Sequence, residues 1–212
     1  PILVMGGYYG DAEDELLAHD LSPVVYEASH FERIARAAAR AGRRANVHLK
    51  IDTGMSRLGV RPEGLAGLLE TARAFAAQVN VDGVMTHFAS PDVAGEIGEE
   101  SVHTQAALFR RCVEQIRAAG HTPRLVHGAN SAAILRVDAA TQRVGMVGNA
   151  VRPGIALFGH LPLPSTEAVA IRLVPTLRLR SEIVSLRQVP PGTPVGYGAT
   201  YRTARPSVIA TV

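Results

Sequence analysis

The stretch Val47-His48-Leu49-Lys50-Ile51-Asp52-Thr53-Gly54-Met55-Ser56-Arg57-Leu58-Gly59 decides the fold. Its first half is apolar with β-branched residues, as in a buried strand. Its second half turns through two glycines and carries Asp52, Thr53, Ser56 and Arg57. A buried strand that delivers polar groups at its C-terminal end is the unit from which parallel α/β active sites are built. The stretch also holds Lys50, the one lysine among 22 basic residues.

Outward from this strand, short apolar runs alternate with amphipathic stretches. Strands are expected at Ile2–Met5, Pro23–Tyr26, Asn46–Ile51, Val81–Thr86, Arg124–His127 and Met146–Arg152. Helices are expected at Ser29–Ala41, with Ser29 and Glu32 spaced as a capping box, at Pro62–Ala77, with proline in the first turn, and at Ser101–Ala119, closed by Gly120. Strands joined by helices, without hairpin signals, imply a parallel sheet. Polar residues after several strands favour a partial TIM (β/α)8 barrel over an open sheet. Near Leu173 the pattern changes. Thr176 to Leu186 alternates with period two, and Pro190-Pro191-Gly192 signals a turn. The expected division is a barrel over 1–172 and the beginning of an all-β domain over 173–212. Pro1 and Val212 both fall inside apolar runs, which suggests a piece of a longer protein with two βα units before Pro1.

A chain of 212 residues, 47% hydrophobic and 19% charged, has the composition of a globular protein with a full core. The net charge of +3 comes from arginines scattered along helix faces, so a nucleic-acid surface is disfavoured. No apolar run reaches the roughly 18 residues of a membrane span. Cys112 is the single cysteine, which excludes an internal disulfide; it sits in a helical pattern, where a small buried hydrophobe is the default and a catalytic thiol the minor alternative. That usage fits a cytoplasmic location.

Four clusters carry chemistry, each just after an expected strand. Arg57, in a glycine-flanked loop, suits a carboxylate or phenolate oxygen; an isolated loop arginine would be mere surface. Lys50 would face a barrel interior, where an unpaired ammonium is costly. His87, in Thr86-His87-Phe88, would alone read as a satisfied polar group at the core edge. His127-Gly128-Ala129-Asn130-Ser131 leads small residues into a helix start, where amides and the Asn130 and Ser131 side chains can hold an anion or simply cap the helix. Val151-Arg152-Pro153-Gly154-Ile155 repeats the device with the amides of Gly154 and Ile155. Tyr197, between Gly196 and Gly198 in the β region, has an approachable hydroxyl or a structural one. No residue set suggests a metal site.

Together these segments resemble the alanine racemase family, enzymes dependent on pyridoxal 5'-phosphate. The resemblance runs from Asn46 to Tyr201 through His48–Gly59, Thr86–Phe88, Ala129–Ala132, Val151–Gly159 and Gly196–Tyr201, in the family's order and spacing. It implies a barrel followed by a β domain, and a homodimer in which Tyr197 serves the partner's site. It further implies that Tyr197 moves the substrate α-proton on one face, that His87 tunes this tyrosine, and that Arg152 faces the cofactor's pyridine nitrogen with His127 behind it. Asn130, Ser131, Gly154 and Ile155 would hold the cofactor phosphate, and Arg57 the phenolic oxygen and the substrate carboxylate. Lys50 matches a lysine that is carbamylated in some members, not the lysine that binds the cofactor covalently. That second lysine belongs to a Lys-x-x-x-Tyr-Gly motif, expected before Pro1, so the stretch alone is expected to be inactive. The implied activity of the parent is interconversion of L- and D-alanine for the cell wall. A related serine, lysine or broad-specificity racemase, a decarboxylase of the same fold type, and a non-catalytic cofactor-binding barrel are the alternatives. Arg152 argues against the decarboxylase, and Tyr197 against the non-catalytic barrel.

Overall fold

A computed structural model describes residues 2–136, 148–163 and 171–212. The chain divides into two units, Pro1–Val174 and Pro175–Val212.

The first unit is a partial TIM barrel. Five parallel strands, β1 (Ile2–Val4), β2 (Leu21–Val25), β3 (Ala45–Lys50), β4 (Val79–Met85) and β5 (Leu125–His127), pair in sequence order. Helices α1 (Glu13–Ala18), α2 (Ala28–Arg40), α3 (Leu65–Ala74) and α4 (Glu96–Ala118) return the chain between them. A short α5 (Ser131–Leu135) follows β5.

Period-two alternation sorts β3. Ala45, Val47, Leu49 and Ile51 join the apolar cluster between sheet and helices. His48 and Lys50 take the opposite face, and both are buried. The helices answer with stripes at helical spacing: Phe31, Ile34, Ala35 and Ala38 on α2, and Val102, Phe109, Val113 and Ile116 on α4. Burying each large side chain contributes about 1.5–3 kcal/mol.

One irregularity governs β4. Val47 pairs with Val81 but His48 pairs with Gly83, so Asp82 is an extra residue, a β-bulge. Before it, the odd positions Val79 and Val81 face the helices; after it, the even position Val84 does. The parity switch turns Met85 and His87 toward the barrel interior.

Among the described residues, the sheet continues past β5 as a bridge between His127 and Ala150. Asn149 fastens this segment: its side chain accepts from Val126 N at 2.9 Å and donates to Arg124 O at 2.8 Å. Gly148, at φ 117°, lies so close to Val126 O that no Cβ would fit. The expected strand Met146–Arg152 is in part outside the described residues; from 148 on, its backbone is a bridge rather than a ladder.

Three expectations are corrected. The capping box is not formed: Glu27 is the N-cap of α2, and Ser29 already lies in the first turn. α4 begins at Glu96 rather than Ser101, and α1, Glu13–Ala18, is a six-residue helix that periodicity did not reveal. Finally, 176–184 is not a regular strand. Its alternating residues are exposed, Leu179 at 95%, because among the described residues no partner strand supplies a ladder.

In the second unit, β6 (Ser185–Val189) pairs antiparallel with β9 (Ser207–Thr211), and β7 (Pro194–Val195) with β8 (Tyr201–Arg202). Thr203 pins the expected turn: its hydroxyl donates to Pro190 O at 2.7 Å and accepts from Thr193 N at 3.1 Å.

Candidate active site

The loop that presents Arg57 is shaped by Asp52, whose Oδ1 accepts from the amides of Gly54 and Ser56, both at 3.0 Å. The chain then returns to β3, with Val60 N donating to Lys50 O and Asp52 N to Val60 O, each at 2.9 Å. Gly59 permits this approach: at φ 130°, a Cβ there would lie 2.6 Å from Asp52 N. Lys50 projects from β3 into the same space, 5% exposed and with no hydrogen-bond or ion-pair partner among the described residues. Burial lowers its pKa, and Arg57 and Arg152 add to that.

Arg152 is immobilised by backbone and imidazole. Its Nη1 donates to His127 Nδ1 at 2.6 Å and His127 O at 2.9 Å; its Nη2 donates to Thr86 O at 2.7 Å and Gly128 O at 3.2 Å. The ends of two strands, β4 and β5, thus converge on one guanidinium. Burial brings its pKa down to about 10, so it stays cationic at neutral pH. His127 falls to about 3, through burial first and then Arg152 and His48. His87 falls to about 4, through burial and then Arg152, Arg57 and Lys50. Both imidazoles are therefore neutral at pH 7. A neutral ring offers one lone pair, so His87 accepts from one of two neighbours, Arg152 Nη2 at 3.5 Å or Asn130 Nδ2 at 3.4 Å.

Asn130 caps α5 by accepting from Ala133 N at 3.1 Å and reaches across to donate to Phe88 O at 3.2 Å. Ser131 Oγ accepts from Gly154 N at 2.8 Å and Ala156 N at 3.3 Å. The Gly154 amide is therefore engaged rather than free. With both lone pairs of Ser131 occupied, its single O–H remains to donate. Gly128 completes the packing; a Cβ there would press on the Phe88 ring at 3.3 Å.

These groups line one cavity of about 570 Å³. Lys50, Arg57, His87, Asn130, Ser131 and Arg152 all reach it, with Gly154 and Ile155 at its rim. Among the described residues that line it, three cations stand against the carboxylate of Asp92, a positive potential suited to an anion. The size and mixed lining are those of a site for a small organic ligand. Among the described residues there is no cluster of His, Cys, Asp and Glu that could hold a metal ion. Tyr197 belongs to the second unit. There it is fully exposed on the 3-10 turn Tyr197–Ala199, between Gly196 at φ 72° and Gly198 at φ 73°.

Sequence reasoning missed Gln105. It is 4% exposed on α4. Its Oε1 accepts from Ala89 N at 2.8 Å, and its Nε2 donates to Thr53 Oγ1 and His87 O, both at 3.2 Å. Thr53 Oγ1 in turn meets Thr86 Oγ1 at 2.6 Å. One side chain thus ties the Arg57 loop to the strand end that carries His87. The available signal was a polar residue on the apolar stripe of a helix.

The chain matches the family model described as alanine racemase, N-terminal domain, over residues 1–162 and that of the C-terminal domain over 176–212. It is 44% identical over its whole length to the alanine racemase of Sorangium cellulosum, covering 54% of that protein, and 36% identical to that of Geobacter sulfurreducens, covering 53%. The crystal structure of alanine racemase from Streptomyces lavendulae superposes with a TM-score of 0.83 at 30% identity, over 99% of this chain and 53% of that one. The chain spans about half the length of the curated relatives it matches. With both family models covering nearly all of it, and with Arg57, His87, Asn130, Ser131 and Arg152 gathered at one cavity, this chain belongs to the alanine racemase family.

Proposed function

We propose that the full-length protein carrying this chain is a pyridoxal phosphate-dependent enzyme that interconverts L- and D-alanine. The observation that carries the reading is Arg152: a cation fixed by four acceptors on the floor of a cavity rich in donors.

The residues present fit the cofactor. Ser131 has a hydroxyl hydrogen to give, beside the backbone of Gly154 and Ile155, and Asn130 stands next to it. The Ser131 hydroxyl and the Ile155 amide would hold the phosphate directly; Gly154 would join them once its amide leaves Ser131 Oγ, and Asn130 would steady the helix start beneath them. Arg57, on its Asp52-built loop, would hold the phenolic oxygen and the substrate carboxylate. Bound pyridoxal phosphate supplies an electron sink that acidifies the substrate's α-C–H.

Arg152 bears on how strong that sink is. Placed against the cofactor's ring nitrogen, this permanent cation would disfavour protonation there. Arg152 would thereby keep the electron sink weak and side reactions few. His127, neutral and accepting from Nη1, keeps the guanidinium from rotating. Tyr197 takes or returns the α-proton on one face, in the site of a partner subunit, so the working form is a homodimer. His87 orients and tunes that hydroxyl. Lys50, a buried cation beside two arginines, gains an ion pair with Arg57 if carbamylated, because the modification makes it an anion. The barrel over 1–172 is the cofactor-binding domain and 173–212 begins the β domain. The product serves the cell wall, and the enzyme works in the cytoplasm.

The test uses the full-length protein with pyridoxal phosphate and each alanine enantiomer in deuterated water. Racemisation is expected, and Tyr197→Phe suppresses α-proton exchange from one enantiomer far more than from the other. Equal loss for both refutes the one-face role; no racemisation by the unmodified protein refutes the whole reading.

A further inference from the structure

Behind Arg152 lies a buried polar chain that runs down the barrel interior. His127 Nε2 meets His48 Nδ1 at 2.9 Å, with the rings at 60°. His48 Nε2 faces Asp82 Oδ2 at 4.0 Å, and Asp82 is held by Arg124 through Nη2 at 2.8 Å and Nε at 3.3 Å. Both imidazoles are almost wholly buried, at 2% and 3% exposure.

The direction of this chain follows from its ends. A guanidinium only donates. His127 must therefore accept at Nδ1 and carry its proton on Nε2. That proton goes to His48 Nδ1, which places the His48 proton on Nε2, toward the Asp82 carboxylate. The alternative arrangement, with both rings protonated on Nδ1, would set an N–H against Arg152 Nη1 and a lone pair against a carboxylate. Arg152 and Asp82 select the same arrangement from opposite ends.

Two features of the backbone build this geometry. Asp82 is the extra residue of the β4 bulge, the device by which a strand re-aims a side chain near a site. The next residue is Gly83, where any Cβ would collide with the His48 ring. Bulge and glycine together admit the imidazole and bring the carboxylate to it. The same bulge that turns His87 inward thus also places a carboxylate beside His48.

We infer that His48 and Asp82 are positioning residues that fix the proton arrangement of His127 and so hold Arg152 in place as a pure donor. Their effect on turnover rests on the role given to Arg152 above; the proton arrangement does not.

The first measurement is therefore independent of activity. In full-length protein labelled with 15N-histidine, the ring nitrogens of His48 and His127 are expected to show protonated Nε2 and bare Nδ1 at neutral pH. Protonated Nδ1 on either ring overturns the inference. The second compares Asp82→Ala with Asp82→Asn, whose amide oxygen can still accept from His48. Asp82→Ala is expected to lose the single arrangement and to lower kcat about tenfold with little change in KM, the scale seen when outer partners of a site are removed. Asp82→Asn restores both. Equal loss in the two variants, or unchanged ring signals in Asp82→Ala, overturns the inference. If Asp82→Ala does not fold, the labelled unmodified protein and Asp82→Asn still decide it. Intact ring signals without any racemisation would refute the functional reading and leave this arrangement standing.

Discussion

Acid should destabilise this fold through its buried histidines, and the size of the effect follows from the structure. His127 is held neutral, with its pKa down to about 3, and His87 down to about 4. In the unfolded chain both return to roughly 6.5. Between these values the unfolded state binds protons that the folded state refuses, so stability present above pH 6.5 is lost as pH falls. Each such histidine contributes a slope of ~1.4 kcal/mol per pH unit. By pH 5 the loss is about 2 kcal/mol for each. His48, also lowered by burial, pushes the same way. The perturbation is His127→Gln, which keeps an acceptor for Arg152 and a donor for His48 but does not titrate. Denaturant unfolding of the full-length protein at pH 8, 6.5 and 5 gives the slope. Between pH 8 and pH 5 the variant should lose about 2 kcal/mol less than the unmodified protein, most of it below pH 6.5. Parallel pH dependences, or a His127 ring that protonates near 6.5 in the folded protein, would refute the reasoning.

Gln105→Leu keeps the bulk but strands the Ala89 amide, and should cost about 2–3 kcal/mol; hydrogen exchange at Ala89 should quicken, and an unchanged rate would show that the clamp is idle. Gly59→Ala forces a Cβ onto the backbone of Ile51 and Asp52, so it should destabilise by at least about 2 kcal/mol and weaken anion binding at the displaced Arg57 loop, both readable by thermal melts with and without phosphate.

The architecture was largely written in local pattern. β3 could be read from alternation, because each residue's partition between helix face and barrel interior is a property of its own polarity. The functional clusters at Arg57, His87, Asn130–Ser131 and Arg152 were visible because glycines and small residues follow each strand. Local pattern also misled. Ser29 and Glu32 have the spacing of a capping box, yet Glu27 is the cap, since the helix starts where β2 releases the chain. The alternation over 176–184 looks like a strand, but alternation says nothing about whether a partner lies beside it.

What tertiary structure alone decided is which polar groups face each other. The bulge at Asp82 is a mismatch between β3 and β4. Register is a property of two strands, so neither sequence segment contains it. Yet that one extra residue turns His87 inward and sets Asp82 beside His48. The neutrality of His127 likewise arises only when β5 and the segment ending at Arg152 meet, because burial and a neighbouring cation act through space and not along the chain.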